Sequence, residues 1–232
     1  MPDHPEIYQS QAKHYEALVS QEDHQHNIFP ALQQIVQLDS LIVVEFGAGT
    51  GRLTCQLAPV VKFIHAFDIS QHMLDVAIAK LEKSSLRNWR MEVGDHRKIP
   101  IEDGLADLVI SGWSVCYIVD EHPVTWQLEL EKVLSEMRRV LHPGGKIILL
   151  ETLGTGFKEP EPPAHLIAYF QFLETQGFQS NWIRTDYLFE NMETAKTLAS
   201  FFFGEEITEK IEKTDLGFIL PECTGIWLYS NI

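Results

Sequence analysis

The chain has 232 residues, 45% of them hydrophobic and 22% charged, with a formal net charge of −15; this suits a globular fold built as one large α/β domain or two small ones. The acidity disfavours a nucleic-acid partner, because affinity for a duplex rests largely on Lys and Arg neutralising phosphates, and the longest basic clusters are Arg97-Lys98 and Arg138-Arg139. No apolar stretch reaches membrane-span length, the start carries no leader-type segment, and Cys55, Cys116 and Cys223 stand far apart, so the expectation is a cytoplasmic protein with free thiols and no membrane contact.

Residues 1–40 read as a helical cover. Tyr8, Ala12, Tyr15, Leu18 and Val19 recur at three- and four-residue steps, which predicts one amphipathic helix; a second follows Pro30. Leu41 to Phe46 is a short apolar run ending in glycines, the pattern of a strand buried on both faces of a parallel sheet. A helix from Arg52 to about Ala58, a strand over 63–68, and a helix capped by Ser70 and running to about Lys83 follow. Strands are predicted over 89–93, 105–111 and 146–150. A long helix carrying Val124, Leu128, Val133, Leu134, Met137, Val140 and Leu141 precedes the last of these and stops at His142-Pro143-Gly144-Gly145. Beyond Glu159-Pro160-Glu161-Pro162-Pro163, helices are expected at about 165–176 and 193–203, with strands at 178–189 and 225–229.

Strand–helix alternation over 41–150 predicts a doubly wound α/β sheet, whose ligands sit at the carboxyl ends of the strands. Gly47, Gly49 and Gly51 fall at one such end and open a helix. Glycines there permit positive φ and bare-backbone contact with a ligand, and the helix N-terminus beyond offers free N–H groups and partial positive charge. The spacing is G-x-G-x-G; the dinucleotide fingerprint is G-x-G-x-x-G, and Arg52 stands at its third glycine. Glu45, two residues before the first glycine, suits a ligand that carries an ammonium group.

These residues resemble the class I S-adenosylmethionine-dependent methyltransferases, closest to the small-molecule type whose loop reads E/D-x-G-x-G-x-G. The resemblance spans roughly 41–151 and rests on four landmarks in order: Glu45 to Gly51, Asp68, Gly94-Asp95-His96 with Ile99-Pro100, and Glu136 to Gly145. It implies a Rossmann-like fold of seven strands, mostly parallel with an antiparallel last strand, and residues 152–232 as the acceptor side of the same domain. It implies S-adenosylmethionine as cofactor and S-adenosylhomocysteine as product. Glu45, Gly47, Ala48, Gly49, Gly51 and Ser111 would then surround the methionine end, Asp68 would take the ribose hydroxyls, Asp95 the adenine amino group, and Ile69 and His96 would flank the adenine ring. Tyr15, on the N-terminal cover, would approach the cofactor carboxylate.

Transfer of a methyl group from a sulfonium is an in-line displacement with a neutral leaving group, so positioning and water exclusion carry much of the rate. No triad is expected and none is visible; Tyr117, His122 and His142 are candidate bases without a specific argument for any of them, and the catalytic residues stay unassigned. Ser111-Gly112-Trp113-Ser114 is not the Asn/Asp-Pro-Pro-Tyr/Phe motif used on adenine or glutamine amides, which points to a small-molecule acceptor whose nucleophile (O, N or C) stays open. The ten histidines show no strong ligand spacing, so no metal is expected. A non-catalytic cofactor-binding module and a nicotinamide-dependent oxidoreductase are the alternatives, the latter disfavoured by Arg52 and Glu45.

Overall fold

The computed structural model describes residues 4–231; the first three residues of the predicted cover and of the leader reading lie outside them. Five strands run parallel: β1 (Ile42–Phe46), β2 (Phe63–Asp68), β3 (Trp89–Val93), β4 (Ala106–Gly112) and β5 (Leu141–Thr155). The chain then forms β6 (Gln179–Arg184) and a small separate sheet of β7 (Tyr187–Phe189), β8 (Glu212–Thr214) and β9 (Gly217–Leu220), and returns as β10 (Glu222–Ser230). β10 inserts antiparallel between β5 and β6, completing the order β3-β2-β1-β4-β5-β10-β6. The large sheet is therefore seven-stranded and mostly parallel with one antiparallel strand, as the family resemblance implies.

Period-two alternation sends apolar side chains to both faces of this sheet. Val43, Ile64, Leu108, Ile110, Ile148 and Leu150 pack on α3 (Ile28–Ile35), α4 (Arg52–Leu57) and α5 (Gln71–Glu82). Val44, Phe46, Val109, Ile147 and Leu149 pack on α7 (Trp126–Val140) and α8 (Ile167–Thr175). Pro30 fits the first turn of α3, where a missing N–H costs nothing. Ser70 caps α5 by accepting the Met73 N–H. In α7 the buried stripe is Leu130, Val133, Leu134, Met137 and Val140; Val124 precedes the helix and is exposed, and Leu128 faces solvent.

The single helix expected over Tyr8–Val19 is two, α1 (His4–Ser10) and α2 (Ala12–Val19), because Gln11 leaves the helical region at φ −122° and ψ 27°. The break brings Tyr8 and Tyr15 edge-to-face at 5.5 Å, whereas residues seven apart on one straight helix are about 10 Å apart along its axis. The single strand expected over 178–189 also divides. Asp186 grips Arg184 and accepts the Glu222 N–H, while the Thr185 hydroxyl meets that of Thr224. These bonds turn the chain out of the large sheet and into the small one. There, α1, α2, α9 (Met192–Phe203) and the small sheet share a third apolar cluster around Leu18, Tyr187, Phe189, Ala199 and Phe202. This cap is built from both ends of the sequence.

Candidate cofactor and acceptor site

The loop after β1 turns through left-handed glycines, with φ +73° at Gly47, +53° at Gly49 and +80° at Gly51. The amides of Gly47 and Ala48 donate to the Phe67 carbonyl of β2, which fixes the loop to the neighbouring strand end. A Cβ on Gly47 would lie 2.0 Å from Ser114 Oγ and 3.3 Å from a His96 ring carbon, and one on Gly51 would lie 2.8 Å from the Cβ of Ala77 on α5. Bare backbone is therefore required at both positions.

Asp68, at the end of β2, sends Oδ2 to the Gly49 N–H (2.8 Å) and Oδ1 to the Ser70 N–H (2.8 Å). Ile69 follows it, 73% exposed, an apolar side chain left open at the rim of this strand end. His96 lies edge-on to Phe46 at 5.8 Å, and burial pulls its imidazole below the ordinary value, against the charges of Asp68 and Asp95. Tyr15 is packed between Tyr8 and Phe202, and its hydroxyl is held well above the ordinary range by burial, within the electrostatic reach of Arg52 and Asp68. The structure thus gathers Glu45, the glycines, Asp68, His96 and Tyr15 at one edge. Asp95 is engaged elsewhere: Arg97 donates to both of its oxygens and is anchored in turn by Glu129 of α7, and the bonds from Arg97 pull the Asp95 carboxyl down to about 2.

Glu45 is buried on β1 and accepts from the Thr54 hydroxyl of α4 at 2.6 Å; burial pushes its carboxyl up to about 8. Ser111, at the end of β4, is also buried, and its hydroxyl has no partner. Beyond it, Trp113 sits at φ +50° with the Arg52 guanidinium 3.8 Å above its ring. Arg52 pairs with Glu22 of the cover at 2.6 Å, and Tyr187 of the small sheet donates to the same Glu22 oxygen at 2.7 Å. The cap is thereby tied to the first residue of α4.

Two further acids stand at the strand ends. Glu151 on β5 accepts from the Cys116 N–H and the Tyr169 hydroxyl, and burial raises it to about 7. Glu222 opens β10 and accepts from Thr152, with burial foremost and then Glu22 pushing it to about 8. Their signal in the sequence is the one Glu45 gives: an acid directly after an apolar strand run, or directly before one. Tyr117, one of the candidate bases, accepts the Tyr8 hydroxyl bond at 2.6 Å. Among the described residues no group of three or more His, Cys, Asp or Glu is arranged to hold a metal, and no helix is long and apolar enough to cross a membrane.

Three buried carboxyls with raised values give the stability a pH dependence. The folded state keeps protons that the unfolded chain releases near 4.5, so their contribution is full below that value and is lost as pH rises through about 7 to 8. His96, with its lowered value, acts in the opposite direction only below about 6.5. The melting temperature of the ligand-free protein should therefore fall between pH 6.5 and 8, and Glu151→Gln with Glu222→Gln should flatten that slope. A melting temperature that is level or rising over this window would contradict the burial of these acids.

Residues 44–149 match the methyltransferase domain family. The chain is 32% identical over 110 residues to the uncharacterized protein YafE of Escherichia coli, covering 47% of this chain and 49% of that one. It is 29% identical over 154 residues to a demethylmenaquinone methyltransferase of Lactococcus lactis, covering 63% and 57%. It thus spans about half to two thirds of the length of these curated relatives. A S-adenosylmethionine-dependent methyltransferase from Aquifex aeolicus shares its fold with a TM-score of 0.57 at 17% identity, over 89% of this chain and 90% of that one. The match over residues 44–149 to a methyltransferase domain agrees with the strand order and with the glycine loop after β1.

Proposed function

We propose that the chain binds S-adenosylmethionine at the carboxyl ends of β1, β2 and β4 and transfers its methyl group to a small-molecule acceptor under the cap. The observation that carries this reading is the three-glycine turn with the Asp68 carboxylate bonded to the Gly49 amide. It joins an amide-lined helix N-terminus to an acid at the next strand end, the pair needed for a carboxylate-bearing, ribose-bearing ligand. The buried hydroxyls of Thr50 and Ser111, without partners in the protein, fit a polar ligand at the same edge. Glu45, held near neutrality, gains an ionic partner if an ammonium approaches. Exposed Ile69 offers an apolar face for a base.

The cofactor, when bound, supplies an electrophilic methyl group on sulfur. The protein's part is to hold an acceptor in line and keep water out, which the cap does by closing over the strand ends with Tyr8, Tyr15, Tyr187 and Phe202. We place 1–40 as the N-terminal cover, of which α1 and α2 join the cap while α3 packs on the sheet, 41–151 as the cofactor-binding core and 152–232 as the acceptor side. The small-molecule substrate named for the Lactococcus lactis relative supports an acceptor of that size, and three separate free thiols fit the reducing cytoplasm.

Calorimetric titration tests the placement. Asp68→Ala should weaken S-adenosylhomocysteine binding by on the order of tenfold or more, since it leaves ribose hydroxyls without a partner. Unchanged affinity would remove the ribose from β2, and no binding to the unaltered protein would end the reading altogether.

A further inference from the structure

Buried polar atoms are almost always partnered, so those left over outline the chemistry of a missing ligand. Among the described residues, the buried charged atoms without a hydrogen bond are four carboxyl oxygens and one guanidinium nitrogen: Glu16 Oε2, Glu22 Oε1, Glu151 Oε2, Glu222 Oε2 and Arg52 Nη2. Glu222, on β10 at the carboxyl end of the sheet beyond Ser111, takes the Thr152 hydroxyl on one face, and Glu151 on β5, next to Thr152 in the strand, points to the other with Tyr169. Glu22 stands near Glu222 from the cover, close enough for its charge to push the Glu222 carboxyl up. The nearby cation is already committed, Arg52 to Glu22 and to the Trp113 face. Unmet acceptors exceed unmet cationic donors here, and the rings beside them are Trp113 and Tyr187.

A carboxylate would leave these oxygens stranded at a cost of about 1–3 kcal/mol each, and a neutral phenol brings one donor but no positive charge to offset two facing acids. An amine carries the missing donors and, as an ammonium, favours ionisation of the acids and contact with aromatic faces. We propose that the methyl acceptor is a basic amine, seated under the cap with its nitrogen bound by Glu222 and Glu22. The inference rests on the methyltransferase reading above and names its substrate class.

The step balances. The Glu222 carboxylate takes one proton from the bound ammonium. The freed lone pair forms the nitrogen–carbon bond as the methyl carbon–sulfur bond breaks, and that electron pair leaves on sulfur. The methylated nitrogen becomes the cation, and the proton on Glu222 passes to solvent when product departs. A carboxyl held near pH 8 by burial is suited to this exchange at neutral pH.

The test uses the full chain with methyl-labelled S-adenosylmethionine and three matched acceptor sets: phenethylamine, butylamine and diaminobutane; catechol and hydroquinone; phenylacetate and butyrate. Label should enter the amine set, with a rate that rises between pH 6 and 8. In the S-adenosylhomocysteine complex, calorimetry should show amine binding that Glu222→Gln weakens at least tenfold, while affinity for S-adenosylhomocysteine itself changes less than twofold. If Glu222→Gln does not fold, Glu22→Gln is read in the same way. Label confined to phenols or carboxylates, amine binding indifferent to both substitutions, or no amine bound or methylated by a protein that does bind S-adenosylhomocysteine, overturns the proposal. Failure to bind S-adenosylhomocysteine would instead strike the cofactor reading beneath it.

Discussion

An Arg52→Ala variant should lose about 3–5 kcal/mol of stability, the usual consequence of stripping one partner from a buried ion pair. Arg52 and Glu22 are 15% and 2% exposed at their side chains, and their contact is 2.6 Å. Removing the guanidinium leaves the Glu22 carboxylate with the Tyr187 hydroxyl alone and removes the cation from the Trp113 face. At this chain length the loss corresponds to roughly 10 °C in melting temperature. The double variant Arg52→Met with Glu22→Gln should recover part of it, since no uncompensated charge then remains. A single variant that melts with the unaltered protein would show that the cover does not rest on α4 through this pair.

Gly47→Ala should cost about 3 kcal/mol, combining strain from an alanine at positive φ with overpacking against a fixed neighbour. The new Cβ would lie 2.4 Å from Ser114 Cβ as well as 2.0 Å from its oxygen, so no rotation of the serine relieves it. Gly144→Ala is the control. Its φ of +85° carries the same conformational demand with nothing within 4 Å of the added carbon, so about 1 kcal/mol is expected there. The difference between the two denaturation midpoints isolates the contact, and Ser114→Gly in the Gly47→Ala background should recover it. Affinity for S-adenosylhomocysteine should fall at least tenfold in Gly47→Ala and stay unchanged in Gly144→Ala. Equal costs at the two glycines would mean that Ser114 does not stand against the loop.

The strands of the core were legible because two-sided burial writes itself as apolar runs and the turns write themselves as glycine and proline. Residues 63–68 and 89–93 need no tertiary information to be found, and Ser70 announces its cap. The cap was not legible in the same way. Gln11 ends α1 although nothing in its type forbids helix; the break follows from packing Tyr8 and Tyr15 onto Phe202, which is almost two hundred residues away in sequence. Thr185 and Asp186 look like ordinary strand residues, and only their bonds to Thr224 and Glu222 make them a crossing. For the candidate site, the glycine loop and Asp68 are local motifs. Glu22, Arg52 and Tyr187 form one cluster from three distant segments, and no spacing rule connects them.

The place of β10 carries a consequence for how the molecule is made. Residues 222–230 lie between β5 and β6, so the sheet has an interior gap until this late segment has been synthesised. During that interval two strand edges face each other unpaired, open to the wrong neighbour as well as to the right one. Folding of this half is governed by a long-range closure. A chain cut short before residue 222 would lose the sixth strand of seven and leave β6 with no strand to pair with, and aggregation, rather than a smaller stable domain, is the expected product.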